Sequence, residues 1–177
     1  MLEDLPQRSK ETSGDLAARS HVYDALFEHS LDCVKLVGID GRLLRINQCG
    51  CDSLEVCAPE EAVGQSYFEF WAGADSKRAL AAADEAKESG SGRFTGRYRS
   101  PSGRLSYWDE LLTAVRSETG ALLGYLIISR DITENTIRLE QQRALAELGS
   151  VALTELSFDR FLQTVTEVIA EALHCPM

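Results

Sequence analysis

Three β-prone runs, 93–99, 105–116 and 121–130, follow one another with only Pro101-Ser102-Gly103 and Glu118-Thr119-Gly120 between them. Connections this short hold a turn and nothing more, whereas a parallel pair needs a crossover of about a dozen residues. Consecutive strands are therefore antiparallel neighbours, and the second half of the chain is committed to a meander. In 105–116 alternation puts Trp108, Glu110, Leu112 and Ala114 on one face and Tyr107, Asp109, Leu111, Thr113 and Val115 on the other. The two faces are balanced enough that alternation does not say which is inward. Asp109 and Glu110 point to opposite faces, so at most one carboxylate reaches an interior and the two do not form an acid–base pair.

Upstream, 33–39 and 42–47 are β-prone runs around Asp40-Gly41, which is a hairpin signal. Residues 48–80 break into short apolar clusters divided by Pro59, Gly64 and Gly73, suited to brief helices. The Ala-rich segment 76–89 is the first long helix, closed by Gly90. Val22, Ala25, Leu26 and His29 have helical spacing, with Ser20 as N-cap, so a short helix over 21–29 leads into the hairpin. Residues 1–20 are polar and lack an apolar period, which reads as a flexible segment, helical only near its end. The order is strand, strand, small helices, longer helix and three strands. This is an α+β class with a five-stranded antiparallel sheet that needs helices over one face to enclose a core.

After Asp131 the periodicity changes. Ile137, Gln141, Leu145, Leu148, Ala152 and Leu156 form a narrow stripe over 133–156, the pattern of a helix that pairs with another. The run 157–177 carries a wide apolar face, Phe158, Phe161, Leu162, Val165, Val168, Ile169, Ala172 and Leu173. The expected organisation is 1–20 flexible, 21–132 one folded domain, 133–156 a helical linker, and 157–177 either the start of a second domain or a dimerisation helix.

Twenty-eight Asp and Glu against eighteen Lys and Arg give a net charge of -10. That balance disfavours nucleic acid and anionic membrane surfaces as partners. No stretch nears the roughly 20 apolar residues of a membrane span, and the N-terminus lacks the apolar centre of a signal peptide, so a cytoplasmic location is expected. Cys33, Cys49, Cys51, Cys57 and Cys175 are an odd number without the spacing of a disulfide framework. Cys49-Gly50-Cys51 with Cys57 offers soft ligands or a redox switch, but there is no second ligand pair at zinc-finger spacing. The alternative is that these thiols act as small hydrophobes beside the core.

Phe27-Glu28-His29-Ser30-Leu31-Asp32, the hairpin 38–47, Glu61-Ala62-Val63-Gly64 and Asp131-Ile132-Thr133 occur in an order that resembles the PAS family. The resemblance covers about 110 residues, from near His21 to Thr133. It implies helices cupped over one sheet face to form a ligand cavity, with dimer contacts elsewhere and a non-catalytic, signalling role. Light-sensing members carry Gly-Arg-Asn-Cys-Arg-Phe-Leu-Gln. Here the matching stretch is Gly64-Gln65-Ser66-Tyr67-Phe68-Glu69-Phe70-Trp71, with Tyr67 at the cysteine, so the resemblance gives no support for a photoactive flavin. Oxygen-sensing haem members carry a histidine on the long helix, and 76–89 has none; His21, His29 and His174 lie outside it. The resemblance assigns no particular cofactor.

The motif Asp131-Ile132-Thr133 also has a direct physical reading. Asp131 can accept helix N-terminal amides, with Glu134 completing a capping box; Thr133 is an alternative cap, and Arg42 or Arg45 can pair with Asp131. Two roles stand open: an ordinary strand-to-helix cap, or the point where a strand shift is passed to the helix. Segment 157–177 is similar to the first helix of a GAF domain; the rival reading is a helix that folds back or pairs. Ser66, Tyr67, Tyr98, Trp108, Glu110 and Tyr125 are the candidates to line a small-molecule cavity, each alternatively a core residue with its polar group satisfied. Together these readings lead to a sensory module of a bacterial signalling receptor, a histidine kinase or similar, dimerised through helices 21–29 and 133–156. The rivals are a solidly packed interaction module and a thiol sensor.

Overall fold

The computed structural model describes residues 13–154, 162–163 and 165–169. Its elements run α1 (Ser13–Glu28), β1 (Cys33–Gly38), β2 (Leu43–Ile46), α2 (Gln48–Leu54), α3 (Pro59–Ala62), a 3₁₀ turn (Tyr67–Phe70), α4 (Ala74–Ser89), β3 (Ser91–Arg99), β4 (Leu105–Arg116), β5 (Leu122–Asp131) and α5 (Thr133–Thr154). The five strands form one antiparallel sheet in the order β2-β1-β5-β4-β3. The meander expected from the short turns is thus joined to the first hairpin through the β1–β5 pairing, which runs from Cys33 opposite Ser129 to Gly38 opposite Gly124.

The face of β4 that carries Ser106, Trp108, Glu110 and Leu112 is the inward one. Ala79, Ala82, Ala83 and Ala86 make the buried stripe of α4, at the spacing of one helix face. Small side chains let this helix lie close to the sheet. Gly92 on β3 completes the approach, since a Cβ there would stand 2.0 Å from the Ala82 carbonyl oxygen. Gly90 ends α4 at φ 97°, a left-handed conformation that glycine adopts without steric cost.

Both long edges of the sheet are occupied. At the β2 edge, Leu43 N–H donates to Gln65 O (2.9 Å) and Gly64 N–H to Leu43 O (2.7 Å). At the β3 edge, Asp75 Oδ2 accepts Arg97 N–H (3.1 Å), and Arg78 Nε donates to Thr95 O (3.1 Å) while its guanidinium also pairs with Asp75. Unpaired edges are templates for further strand addition, and these contacts engage part of each edge.

Asn47, fully buried between β2 and α2, pins the N-terminal part. Its Oδ1 accepts Val34 N–H and Gly50 N–H, both at 3.0 Å, and its Nδ2 donates to Phe27 O (3.1 Å) and Asp32 O (3.0 Å). It therefore caps α2 and fixes the exit of α1 at once.

Two expectations change. The leading helix begins at Ser13, so Ser20 lies inside α1 rather than at its N-cap, and part of 1–20 is helical. Arg45 does not reach Asp131; it turns to α1, with Nη1 2.7 Å from Asp24 Oδ1 and Nη2 2.9 Å from Glu28 Oε1, and its guanidinium lies 4.3 Å from the Phe27 ring centroid. Asp24 and Glu28, one turn apart on α1, give Arg45 two nearby carboxylates. Arg42 instead donates to Gly64 O at 2.7 Å. Helix α5 is described to Thr154; Leu156 and most of the 157–177 segment, including His174 and Cys175, lie outside the described residues.

Candidate functional site

β1, β4 and β5 place four polar side chains in the core. Lys35 comes from β1, Glu110 from β4 and Ser129 from β5, all on the inward face, and Tyr67 comes from the 3₁₀ turn. Register explains the meeting, because Lys35 pairs across β1–β5 with Ile127, two residues from Ser129 and on the same face, and Ser129 pairs with Glu110. Lys35 Nζ donates to Ser129 Oγ at 2.6 Å, and Ser129 Oγ donates to Glu110 Oε2 at 2.7 Å. The Tyr67 hydroxyl donates to the same Glu110 oxygen at 2.9 Å. Glu110 is 1% exposed and Lys35 5%, so the two opposite charges are held away from water with a hydroxyl between them.

The surroundings bias each group. Burial raises the Tyr67 hydroxyl well above its ordinary range, and the charge and hydrogen bond of Glu110 raise it further, while the Trp71 side chain acts in the opposite direction. Burial by itself lowers the Lys35 ammonium, but Cys33 and the Glu110 carboxylate outweigh it and leave Lys35 above its usual value. Lys35 Nζ also stands 5.9 Å from the Tyr67 ring centroid and 6.0 Å from that of Trp108, within cation–π range.

Beside this network lies an internal cavity of about 20 Å³, lined by Cys33, Lys35, Ser53, Leu54, Phe70, Trp71, Tyr98, Trp108 and Glu110. That is room for about one water molecule. Trp71 Nε1 is buried there with no hydrogen-bond partner among the described residues. Trp108 Nε1, by contrast, donates to Ser106 Oγ at 2.9 Å.

Of the residues expected to line a cavity, Tyr98, Trp108 and Glu110 do so, and Tyr67 contacts it through Glu110. Ser66 and Tyr125 do not. Ser66 serves through its backbone, bridging to Arg42, and its carbonyl accepts Glu69 N–H. Tyr125 is buried on the inward face of β5, where Asp84 of α4 is close enough to raise its hydroxyl after burial has done so. Sequence reasoning missed Lys35, Ser129 and Trp71 as site residues. The available signal for Lys35 was its place between Cys33 and Val37 at every second position of a strand.

At the end of β5, Asp131 Oδ1 accepts Thr133 N–H at 2.8 Å, and Thr133 Oγ1 accepts Tyr107 N–H at 2.9 Å. Ile132 N–H donates to Tyr107 O at 2.9 Å, and Ile132 O accepts Thr136 N–H to open the helix. Glu134 pairs with Arg138 one turn on, so it does not close a capping box. The strand residue that holds the start of α5, Tyr107, is thus adjacent to Trp108 in the cavity wall.

The cysteines divide by environment. Cys49 Sγ donates to Leu31 O at 3.1 Å; Cys51 is buried, and Cys57 is exposed beyond α2. Burial first, then neighbouring negative charge, raises both Cys49 and Cys51. No group of three or more metal-ligating side chains occurs among the described residues, and no described helix is long and apolar enough to cross a membrane.

The family of the PAS fold matches residues 27–136, well over half of the sequence. The chain belongs to the PAS family. Solved structures agree on the fold. A PAS domain from Colwellia psychrerythraea is 18% identical, with a TM-score of 0.59 over 67% of this chain and 98% of that one. The PAS domain of an HTR-like protein from Haloarcula marismortui is 29% identical, TM-score 0.53, covering 67% and 96%. An RNA-binding light-oxygen-voltage receptor is 18% identical, TM-score 0.63, covering 87% of this chain and 43% of that one. PAS domains of a two-component sensor histidine kinase and of a sensory box histidine kinase/response regulator from Geobacter sulfurreducens share the fold as well. No curated protein matches the chain.

Proposed function

We propose that this PAS domain is the sensory part of a signalling receptor, with a histidine kinase or similar output, in which the state of the buried site on β4 sets the geometry of α5. The observation that carries the reading is the adjacency of Trp108, which walls the cavity, and Tyr107, which holds Ile132 and Thr133 at the start of the helix. A ligand or cue that favours one arrangement of the network shifts the strand end, and the shift reaches α5 through Asp131 and Thr133; the coupling requires differential affinity for the two arrangements. The domain itself performs no catalysis in this reading. Two copies pair along 21–29 and 133–156, which is supported by the exposed Val22, Tyr23 and Leu26 on α1 and Ile137, Leu139 and Leu145 on α5. Segment 157–177 then leads into a GAF-like domain or extends the pairing. The acidic balance suits a cytoplasmic protein without a nucleic-acid partner.

The test is a spin label at Leu145→Cys in a chain whose own cysteines are replaced. Paired labels whose separation changes with a ligand or cue are expected. A monomer, or a separation that no tested condition moves, rejects the proposal. The second reading, a solidly packed interaction module, is favoured by the small cavity volume. It expects paired labels at one fixed separation. The thiol-sensor reading is weakened, because raised Cys49 and Cys51 hold less of the reactive thiolate.

A further inference from the structure

In a chain with twenty-eight acids against eighteen Lys and Arg, one groove has only arginines as its charged lining. It encloses about 250 Å³ where the β3 edge meets the root of α5, between Arg78 of α4, Thr95 and Arg97 of β3, Tyr107 of β4, and Ile132 and Thr136 at the start of α5. It shares no lining residue with the core cavity. Both arginines are held by the same buried carboxylate. Arg78 pairs with Asp75 while its Nε donates to Thr95 O at 3.1 Å. Arg97 donates its backbone N–H to Asp75 Oδ2 at 3.1 Å and stands with Nε 3.7 Å from that oxygen. Neutralising Asp75 needs one guanidinium, and Arg78 already supplies it, so Arg97 is a positive charge in excess. Its side chain is 64% exposed, and among the described residues its terminal nitrogens have no acceptor. The carboxylates at the start of α5 are engaged elsewhere, Asp131 on Thr133 N–H and Glu134 on Arg138.

We propose that this groove binds the phosphate-type oxyanion of a small molecule, a tetrahedral dianion held between Arg78 and Arg97. A guanidinium offers paired N–H donors that match two oxygens of such a group, so two guanidiniums call for an anion with more than one edge to present. A carboxylate has one such edge, whereas a phosphate has several. Arginines already ordered by Asp75 lose less freedom on binding. Thr95 and Thr136 add hydroxyl donors to the lining. The ligand would abut the first hydrogen bond of α5, from Thr136 N–H to Ile132 O. This is a second site, and binding there does not depend on the sensory reading of the core.

The test follows the backbone amides of Thr95, Gly96 and Thr136 in the ¹⁵N-labelled full chain. Inorganic phosphate or glycerol 3-phosphate is added at constant ionic strength, with acetate as the carboxylate counterpart. Saturable shifts in the millimolar range are expected for both phosphates, and binding about tenfold weaker for acetate. Either source bears out the site, and the tighter of the two names it as one for the free ion or for a phosphate monoester. Arg97→Gln leaves Arg78 on Asp75 and is expected to weaken both phosphates about tenfold. Arg97→Lys, which keeps the charge without the fork, should fall between. Arg99→Gln removes the same charge from the next outward position of β3 and should leave binding within about twofold. Unmoved amides in β1 show that each variant keeps the fold. Shifts that grow linearly without saturating, acetate that binds as tightly as phosphate, an Arg97→Gln chain that binds as before, or an equal loss in Arg99→Gln would overturn the site.

Discussion

The hydroxyl of Thr133 accepts the backbone N–H of Tyr107 at 2.9 Å, so the first residue of α5 is a side-chain partner of the strand that walls the core site. Removing that hydroxyl without changing shape, in Thr133→Val, strands a half-buried amide and is expected to cost about 1 kcal/mol. The effect should be local. Hydrogen exchange at the Tyr107 amide should speed up by about fivefold, while amides of β1 keep their protection. Uniform loss across the sheet would show that Thr133 is a global stabiliser and not a joint.

Lys35 and Glu110 form a buried pair bridged by Ser129. Lys35→Met leaves the Glu110 carboxylate without its counter-charge and is expected to cost about 3–5 kcal/mol, whereas Lys35→Met with Glu110→Leu should recover most of the loss. Urea midpoints of the single and double variants measure this. Additive losses would mean the two charges do not interact.

Tyr67 and Lys35 are both raised above their ordinary values of 10.0 and 10.5. The unfolded chain therefore releases these protons first as pH rises. Their contribution to stability is fully present below about pH 10, and it is lost as pH climbs through the folded values. Urea midpoints are expected to hold level from neutral pH to about 10 and then to fall. Tyr67→Phe should make that alkaline decline shallower, and an unchanged decline would remove Tyr67 from the account.

Asp75, 3% exposed, accepts the edge amide of Arg97. In Asp75→Ala that amide loses its partner, at a cost of about 1–3 kcal/mol, and the β3 edge opens. Light scattering at raised concentration is expected to show self-association that the parent chain lacks. A variant that is less stable yet stays dispersed would show that the carboxylate stabilises the fold without guarding the edge.

Much of the fold was legible in the sequence. The strand at 105–116 has the observed bounds, and the neighbouring strands and the Ala-rich helix are displaced by one or two residues at their ends. Turn chemistry and helix propensity are local, and local signals survive without tertiary information. The core site was less legible. Trp108 and Glu110 stand out as unusual residues in a strand, but a lysine in a strand reads as exposed, and only register across β1, β5 and β4 brings Lys35 to Ser129 and Glu110. Arg45 was misassigned for a related reason. Its partners, Asp24 and Glu28, lie on the helix that the sequence does show, but only the tertiary docking of α1 beside β2 brings them to Arg45.

The occupied sheet edges have a consequence for how such a unit can be used. With Gln65 and Gly64 against Leu43 on one side and Asp75 and Arg78 against Arg97 and Thr95 on the other, part of each edge is already engaged, which hinders addition of a foreign strand. Copies of the domain can then be strung along one polypeptide, or crowded beside unrelated modules, with less tendency for their sheets to fuse, and contact between neighbours falls more to side chains, which selection can tune one residue at a time.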